Sequence, residues 1–191
     1  MSKESACSLR TKAKMTQALK ELMTEVPFEK ITVSAIVEKC GIHRQTFYYH
    51  FQDRYELLDS IINEELVDPF IRDFKLENMY DKFYDLLSTM YNEQDFYINA
   101  LKINSSELSE YIMDRTEKEF TSLLRTIRKD ENIDVRAEEN DYILAQFLGF
   151  GLSGVIVTWA KDGMKKTPQE MTDNVVRLMQ FCKKIALQGR E

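Results

Sequence analysis

Apolar residues recur three and four positions apart along most of this chain, the period of a helix with one buried face. Ala13, Leu19, Leu22 and Met23 mark a first helix over roughly Ser8 to Glu25, and Pro27 ends it. A short run follows in Val33, Ile36 and Val37, with Thr32 just ahead of it as an N-cap would be and Gly41 behind it. Glycine suits that last position because it reaches positive φ without a Cβ penalty. Another short helix begins near His43 and carries Phe47 and Phe51 one turn apart. Two helices too short to stand alone, joined at a glycine and anchored by aromatics, are the punctuation of a helix–turn–helix.

A fourth helix starts near Asp53, with Tyr55, Leu57, Leu58, Ile61, Ile62 and Leu66 as its buried stripe, and Asp68-Pro69 breaks the pattern after it. Beyond Leu76 the period predicts helices over roughly Glu77–Tyr91, Gln94–Ile103, Ser106–Lys129, Glu138–Asp162 and Pro168–Gln188. Thr167 and Pro168 fit N-cap and N1 positions, and Gly189 suits the far end. The expected fold class is all-α.

The helix after Gly41 has an outward face with a particular chemistry. At about 100° per residue, Phe47 and Phe51 point into the core, flanked by His43 and Arg44, while Gln45 and Tyr49 project outward. Thr46, Tyr48 and His50 lie between. Arginine can pair bidentately with guanine and glutamine with adenine, and hydroxyls and histidine suit phosphate oxygens. No carboxylate lies between Lys39 and Gln52 to repel a phosphate backbone. These residues imply contact with a DNA major groove.

The stretch resembles the DNA-binding domain of the TetR family of bacterial transcriptional regulators. The likeness rests on Thr32, Gly41-Ile42, Thr46-Phe47-Tyr48, His50-Phe51, Arg54 and Glu56-Leu57-Leu58, within about the first third of the chain. It implies a helix–turn–helix domain over 1–67, with the motif at about 32–51, and a helical ligand-sensing and dimerisation domain over 68–191. Carried over by position, Arg44, Gln45 and Thr46 approach bases, while Tyr48, His50, Arg54 and the backbone amide near Thr32 hold phosphates. Tyr49 and His43 complete the expected DNA face. Two positions depart from the family. His43 stands where many members have Ser or Thr, which weakens the cap of the recognition helix. Gln45 stands where many have a small residue, which points to a distinct operator. The His-Arg-Gln-Thr-Phe-Tyr segment is also similar to the branch containing the regulator of bacterial dihydroxyacetone kinase genes. That likeness implies an alternative, an activator controlled by a protein partner such as a dihydroxyacetone-kinase-like subunit, in place of a repressor released by a small molecule.

Charge adjusts this picture. The 191-residue chain carries −6 overall, yet residues 1–60 hold nine Lys/Arg against eight Asp/Glu, a net of +1 that leaves −7 for the rest. A near-neutral head on an acidic body leaves DNA affinity to local geometry. No apolar run approaches a membrane span, and Met1 to Arg10 is polar, so a cytoplasmic protein without a membrane partner is expected. Cys7, Cys40 and Cys182 are scattered and odd in number, as incidental thiols are, and no metal site or cofactor is expected. An enzyme is not expected either. Both histidines, His43 and His50, lie in the recognition segment, which leaves the body without a Ser–His–Asp or Cys–His site. No glycine loop for phosphate is present, and Glu64-Glu65 and Glu138-Glu139 are neighbours that point about 100° apart on a helix.

The segment Ile143 to Trp159 is apolar almost all round and contains Gly149, Gly151 and Gly154, while Met171, Val175, Leu178, Met179, Cys182 and Ile185 stripe the last helix. A helix buried on every side needs two neighbours, and a second copy of the chain can supply one. A homodimer is therefore expected through Leu152, Val155, Trp159, Leu178, Met179 and Cys182. The body is rich in aromatics and methionine, which suits an effector pocket between helices; Phe83, Met90, Tyr97, Phe120 and Phe147 are the candidates to line it.

Overall fold

The computed structural model describes residues 6–103, 118, 121–122 and 138–188. All regular structure among the described residues is helical: α1 Ala6–Glu25, α2 Val33–Cys40, α3 Arg44–His50, α4 Arg54–Ile62, α5 Asp68–Ile71, α6 Met79–Asn92, α7 Gln94–Leu101, α8 Glu138–Lys161 and α9 Pro168–Gln188. The all-α expectation holds. Most of the expected Ser106–Lys129 helix, with Phe120, lies outside the described residues, as does Gly189. No helix of the described residues is long and apolar enough to cross a membrane.

The chain forms two compact units. The first comprises residues 1–67 and 95–103, the second 68–94 and 104–191. In the first unit α1 buries Met15, Ala18, Leu19 and Met23, a stripe at helical spacing that leaves Ala13 exposed. Phe28, Ile31, Ile36, Phe47, Phe51, Leu57, Leu58, Ile61 and Leu66 complete the core with it. Asp68-Pro69 does not end the helical path. The chain widens into a π-turn over Asn63–Val67 and continues as α5. Proline lacks a donor and its ring crowds the carbonyl four residues back, and a widened turn relieves that crowding.

Helix α7 belongs to the first unit although residues 68–94 of the second separate it in sequence. It adds buried Phe96, Tyr97 and Ala100 to the core. Its polar side chains are as specific. Asn99 Nδ2 donates to the carbonyls of Met23 at 2.7 Å and Val26 at 2.9 Å, and Asn99 Oδ1 accepts from the Phe28 amide at 3.2 Å. One side chain thus closes the end of α1 and the turn behind it, where helix termini leave carbonyls without intrahelical partners. Nearby, Glu65 accepts from Lys20 at 2.6 Å and from the Tyr97 hydroxyl at 2.8 Å.

In the second unit α9 packs most extensively against α6. Phe74, Met79, Phe83, Leu152, Val175 and Val176 form its core, with Phe70, Tyr80 and Met179 packed on the edge. Thr167 and Glu170 form a reciprocal cap at the start of α9. The Glu170 amide donates to the Thr167 hydroxyl at 3.2 Å, and the Thr167 amide donates to the Glu170 carboxylate at 2.8 Å. The apolar residues of α9 divide between two faces. Met171, Val175 and Val176 are buried, whereas Leu178 and Phe181 are 47% and 60% exposed.

Candidate nucleic-acid interface

Local chemistry fixes the two short helices. Thr32 is in extended conformation and its hydroxyl accepts from the Ala35 amide at 3.1 Å, capping α2. At the other end Gly41 takes φ 67°. The Ile42 amide reaches the Val37 carbonyl at 3.1 Å and the Gly41 amide the Glu38 carbonyl at 3.2 Å, so two orphan carbonyls are satisfied by a left-handed turn. His43 precedes α3 and makes no side-chain cap; its carbonyl instead accepts from the Thr46 amide at 2.9 Å. Helix α3 is held by burial. Phe47 is fully buried and Phe51 nearly so, with ring centroids 6.0 Å apart. Cys40, at the end of α2, has its thiol pushed up by burial, and its Sγ donates to the Val37 carbonyl.

The face of α3 opposite the phenylalanines carries the residues expected to read DNA. Arg44, Gln45, Tyr48 and Tyr49 are exposed, Tyr49 at 82%, with Thr46 and His50 half-buried beside them. His50 packs edge-on to Tyr49 at 5.0 Å. Thr32 and His43 are exposed at the starts of α2 and α3. The acids that follow α3 are occupied. Asp53 caps α4 through the Tyr55 and Glu56 amides, at 2.7 and 3.0 Å, and Glu56 accepts from the Gln52 amide. Lys39, at the end of α2, is paired with Glu21 at 3.2 Å and Glu25 at 3.6 Å. Its pKa is raised, chiefly by the Glu21 hydrogen bond.

The two arginines differ in setting. Arg54 Nη1 donates to the Phe28 and Glu29 carbonyls, each at 3.1 Å, and to the Ile31 carbonyl. Its guanidinium lies 4.9 Å from the Phe28 ring centroid and 5.2 Å from that of Tyr55. Arg54 thus clips together the turn that leads into Thr32, and any phosphate contact falls to its other N–H groups. Arg44 stands out from the surface. Its Nη2 donates to the Tyr48 hydroxyl at 3.0 Å and its Nη1 to the Ser34 hydroxyl at 3.5 Å. Sequence reasoning did not single out Ser34, a small polar residue in the first turn of α2. Nor did it find Asn99, whose partners lie 71 to 76 residues away.

The residues considered for an effector site differ in setting. Phe83 and Met90 are buried on α6, Tyr97 is buried in the first unit with its hydroxyl on Glu65, and Phe147 is 71% exposed on α8. Of the residues considered for a dimer interface, Leu152 and Trp159 are buried in the core of their own unit, and the Trp159 indole donates to the Lys166 carbonyl at 2.9 Å. Met179 packs on the same core, whereas Val155 and Leu178 are exposed; the Cys182 side chain lies outside the described residues. Ile143 at 65%, Phe147 at 71%, Phe150 at 36% and Phe181 at 60% are exposed as well. A Cβ built on Gly151 or Gly154 would meet nothing within 4 Å.

Comparison with known proteins gives a consistent picture. A family model for bacterial regulatory proteins of the tetR family matches residues 16–61, and a model for a transcriptional regulator C-terminal region of the same family matches 77–181. Among curated proteins, the HTH-type dhaKLM operon transcriptional activator DhaS of Lactococcus lactis subsp. lactis is 36% identical over 61 residues. That match covers 32% of this chain and spans about a third of the relative, 33%. Among solved structures, a dihydroxyacetone kinase operon activator DhaS matches with a TM-score of 0.70 at 20% identity, covering 92% of this chain and 97% of the other. NalD of Pseudomonas aeruginosa, the secondary repressor of the MexAB-OprM multidrug efflux pump, matches at 0.65 and 16%, covering 90% and 95%. The regulator FadR of Bacillus subtilis, in complex with stearoyl-CoA, matches at 0.61 and 19%, covering 87% and 96%.

Proposed function

Because the chain belongs to the TetR family of bacterial regulatory proteins, we propose that it is a dimeric repressor that reads a palindromic operator through α3 and is released by a small-molecule effector. The DNA part rests on one observation: Arg44, Gln45, Tyr48 and Tyr49 stand exposed on a helix locked from behind by Phe47 and Phe51. A short helix offering donors, acceptors and one cation, with no carboxylate among them, suits base edges flanked by phosphates.

The dimer is supported by exposed apolar residues on α8 and α9. Among the described residues, Ile143, Phe147, Phe150, Val155, Leu178 and Phe181 stand exposed there. An apolar surface of that kind calls for a partner, and a second copy offers the same surface about a two-fold axis. Gly151 and Gly154 leave open space on that face, where a partner helix can approach closely. Two-fold symmetry would then set two α3 helices on half-sites about one helical turn apart or a little more.

An effector releases DNA only by binding the released arrangement more tightly than the operator-bound one. The FadR neighbour holds stearoyl-CoA, and for this chain the buried Phe83 and Met90 of α6 remain the candidates to meet a ligand. Helix α7 is suited to carry the change, since its side chains close the turn of the first unit while both its ends run into segments of the second. A second reading is an activator answering to a protein partner; its activator half draws on the 61-residue match to the transcriptional activator DhaS. Footprinting on DNA flanking the protein's own gene tests the proposal. Protection over an inverted repeat, with transcription falling on binding, is expected. No protected segment would overturn the operator reading, and protection with rising transcription would favour the activator.

A further inference from the structure

Arg44 is held in place without being neutralised. Both its partners are neutral hydroxyls, Tyr48 one turn along α3 and Ser34 on α2. Its guanidinium also lies 5.5 Å from the Tyr48 ring centroid, within cation–π range. A guanidinium has five N–H donors. Two are used, one on each terminal nitrogen, so Nη1 and Nη2 each keep one N–H together with the full positive charge. A free arginine loses much rotamer freedom on meeting a base, and a fork already held loses less.

We propose that Ser34 and Tyr48 are positioning residues that aim the Arg44 fork at the paired N7 and O6 acceptors of a guanine, so that Tyr48 contributes to sequence reading through Arg44. This inference rests on the DNA-reading function proposed above and adds residues to it. Ser34 ties the fork to α2 while Tyr48 ties it to α3, so the orientation of the guanidinium is set by the turn at Gly41 that fixes the two helices. The 3.0 Å bond makes Tyr48 the stronger tether, and Ser34 at 3.5 Å the weaker. Arg54 is the contrast, with its Nη1 facing three backbone carbonyls.

The test is a double-mutant cycle on the full chain, after circular dichroism melts show each variant folded. A duplex is first enriched from a random-sequence pool with the wild type, and the guanine whose preference Arg44→Ala abolishes is located. Fluorescence anisotropy then compares that duplex with the one substituted at that base pair. Arg44→Ala should lose about 5- to 150-fold of preference, the worth of a bidentate contact. Tyr48→Phe and Ser34→Ala should each lose about 2- to 10-fold at the same base pair, the worth of one hydrogen bond. Ser34→Thr, which keeps the hydroxyl, should retain the preference. In the Arg44→Ala background neither loss should appear again. If Tyr48→Phe weakens both duplexes equally and adds fully to Arg44→Ala, Tyr48 is an independent backbone contact and the inference is overturned. Unchanged preference in Tyr48→Phe and Ser34→Ala overturns it too. A wild type that enriches no motif removes the DNA-reading premise, and the inference with it.

Discussion

Single side chains decide where the short helices begin and end. The Thr32 hydroxyl is the only side-chain cap on α2, and α3 has none. Thr32→Ala should therefore destabilise the first unit by about 0.5–2 kcal/mol, read as a lower denaturant midpoint with unchanged slope. At the start of α9 the Thr167 amide and hydroxyl hold the Glu170 carboxyl below its ordinary value of 4.5. A carboxylate lowered in the folded state stabilises above the ordinary value, and that contribution is lost as pH falls through the lowered one. Glu170→Gln should remove this part of the acid destabilisation, seen as a shallower fall of the melting midpoint below about pH 5. Thr32, Gly41 and Thr167 could all be assigned from sequence, because caps and left-handed turns depend on residues within four positions of each other. Ser34 could not, since its link to Arg44 exists only once the two helices have met at their observed angle.

At the scale of elements, periodicity located most helices, and the structure adds what each face does. The α8 segment read as apolar all round proves to have two faces, Leu152 and Trp159 turned inward, Phe147 and Val155 outward. Composition could not separate them, because a buried face and an exposed apolar face look alike in sequence. Val155→Asp and Phe147→Asp change exposed positions, so each should leave the unit folded while splitting the dimer. Sedimentation at micromolar concentration should show wild-type dimers and variant monomers; a monomeric wild type would contradict the proposed interface. The place of α7 in the first unit was not legible either, because Asn99 meets its partners across more than seventy residues. Asn99→Ala leaves two carbonyls and one amide without that partner. It should cost the first unit about 1–3 kcal/mol, measurable by chemical denaturation.

On the scale of the whole molecule, charge bears on what the chain can grip. The head carries +1 over residues 1–60 in a chain of net −6. A head so nearly neutral gains little from phosphate neutralisation alone, so in the proposed operator complex affinity depends on the contacts of the α3 face. In the proposed dimer two such faces are related by a two-fold axis and meet the same bases in opposite directions, so each contact should appear twice in the target. Selection of duplexes from a random-sequence pool by the wild type and by Gln45→Ala tests this most directly, since Gln45 is exposed on α3. The wild type should enrich an inverted repeat, and Gln45→Ala should lose preference at one symmetry-related pair of positions while keeping the rest. A wild type that enriches no sequence, or a Gln45→Ala variant that returns the same motif at the same strength, would contradict the account.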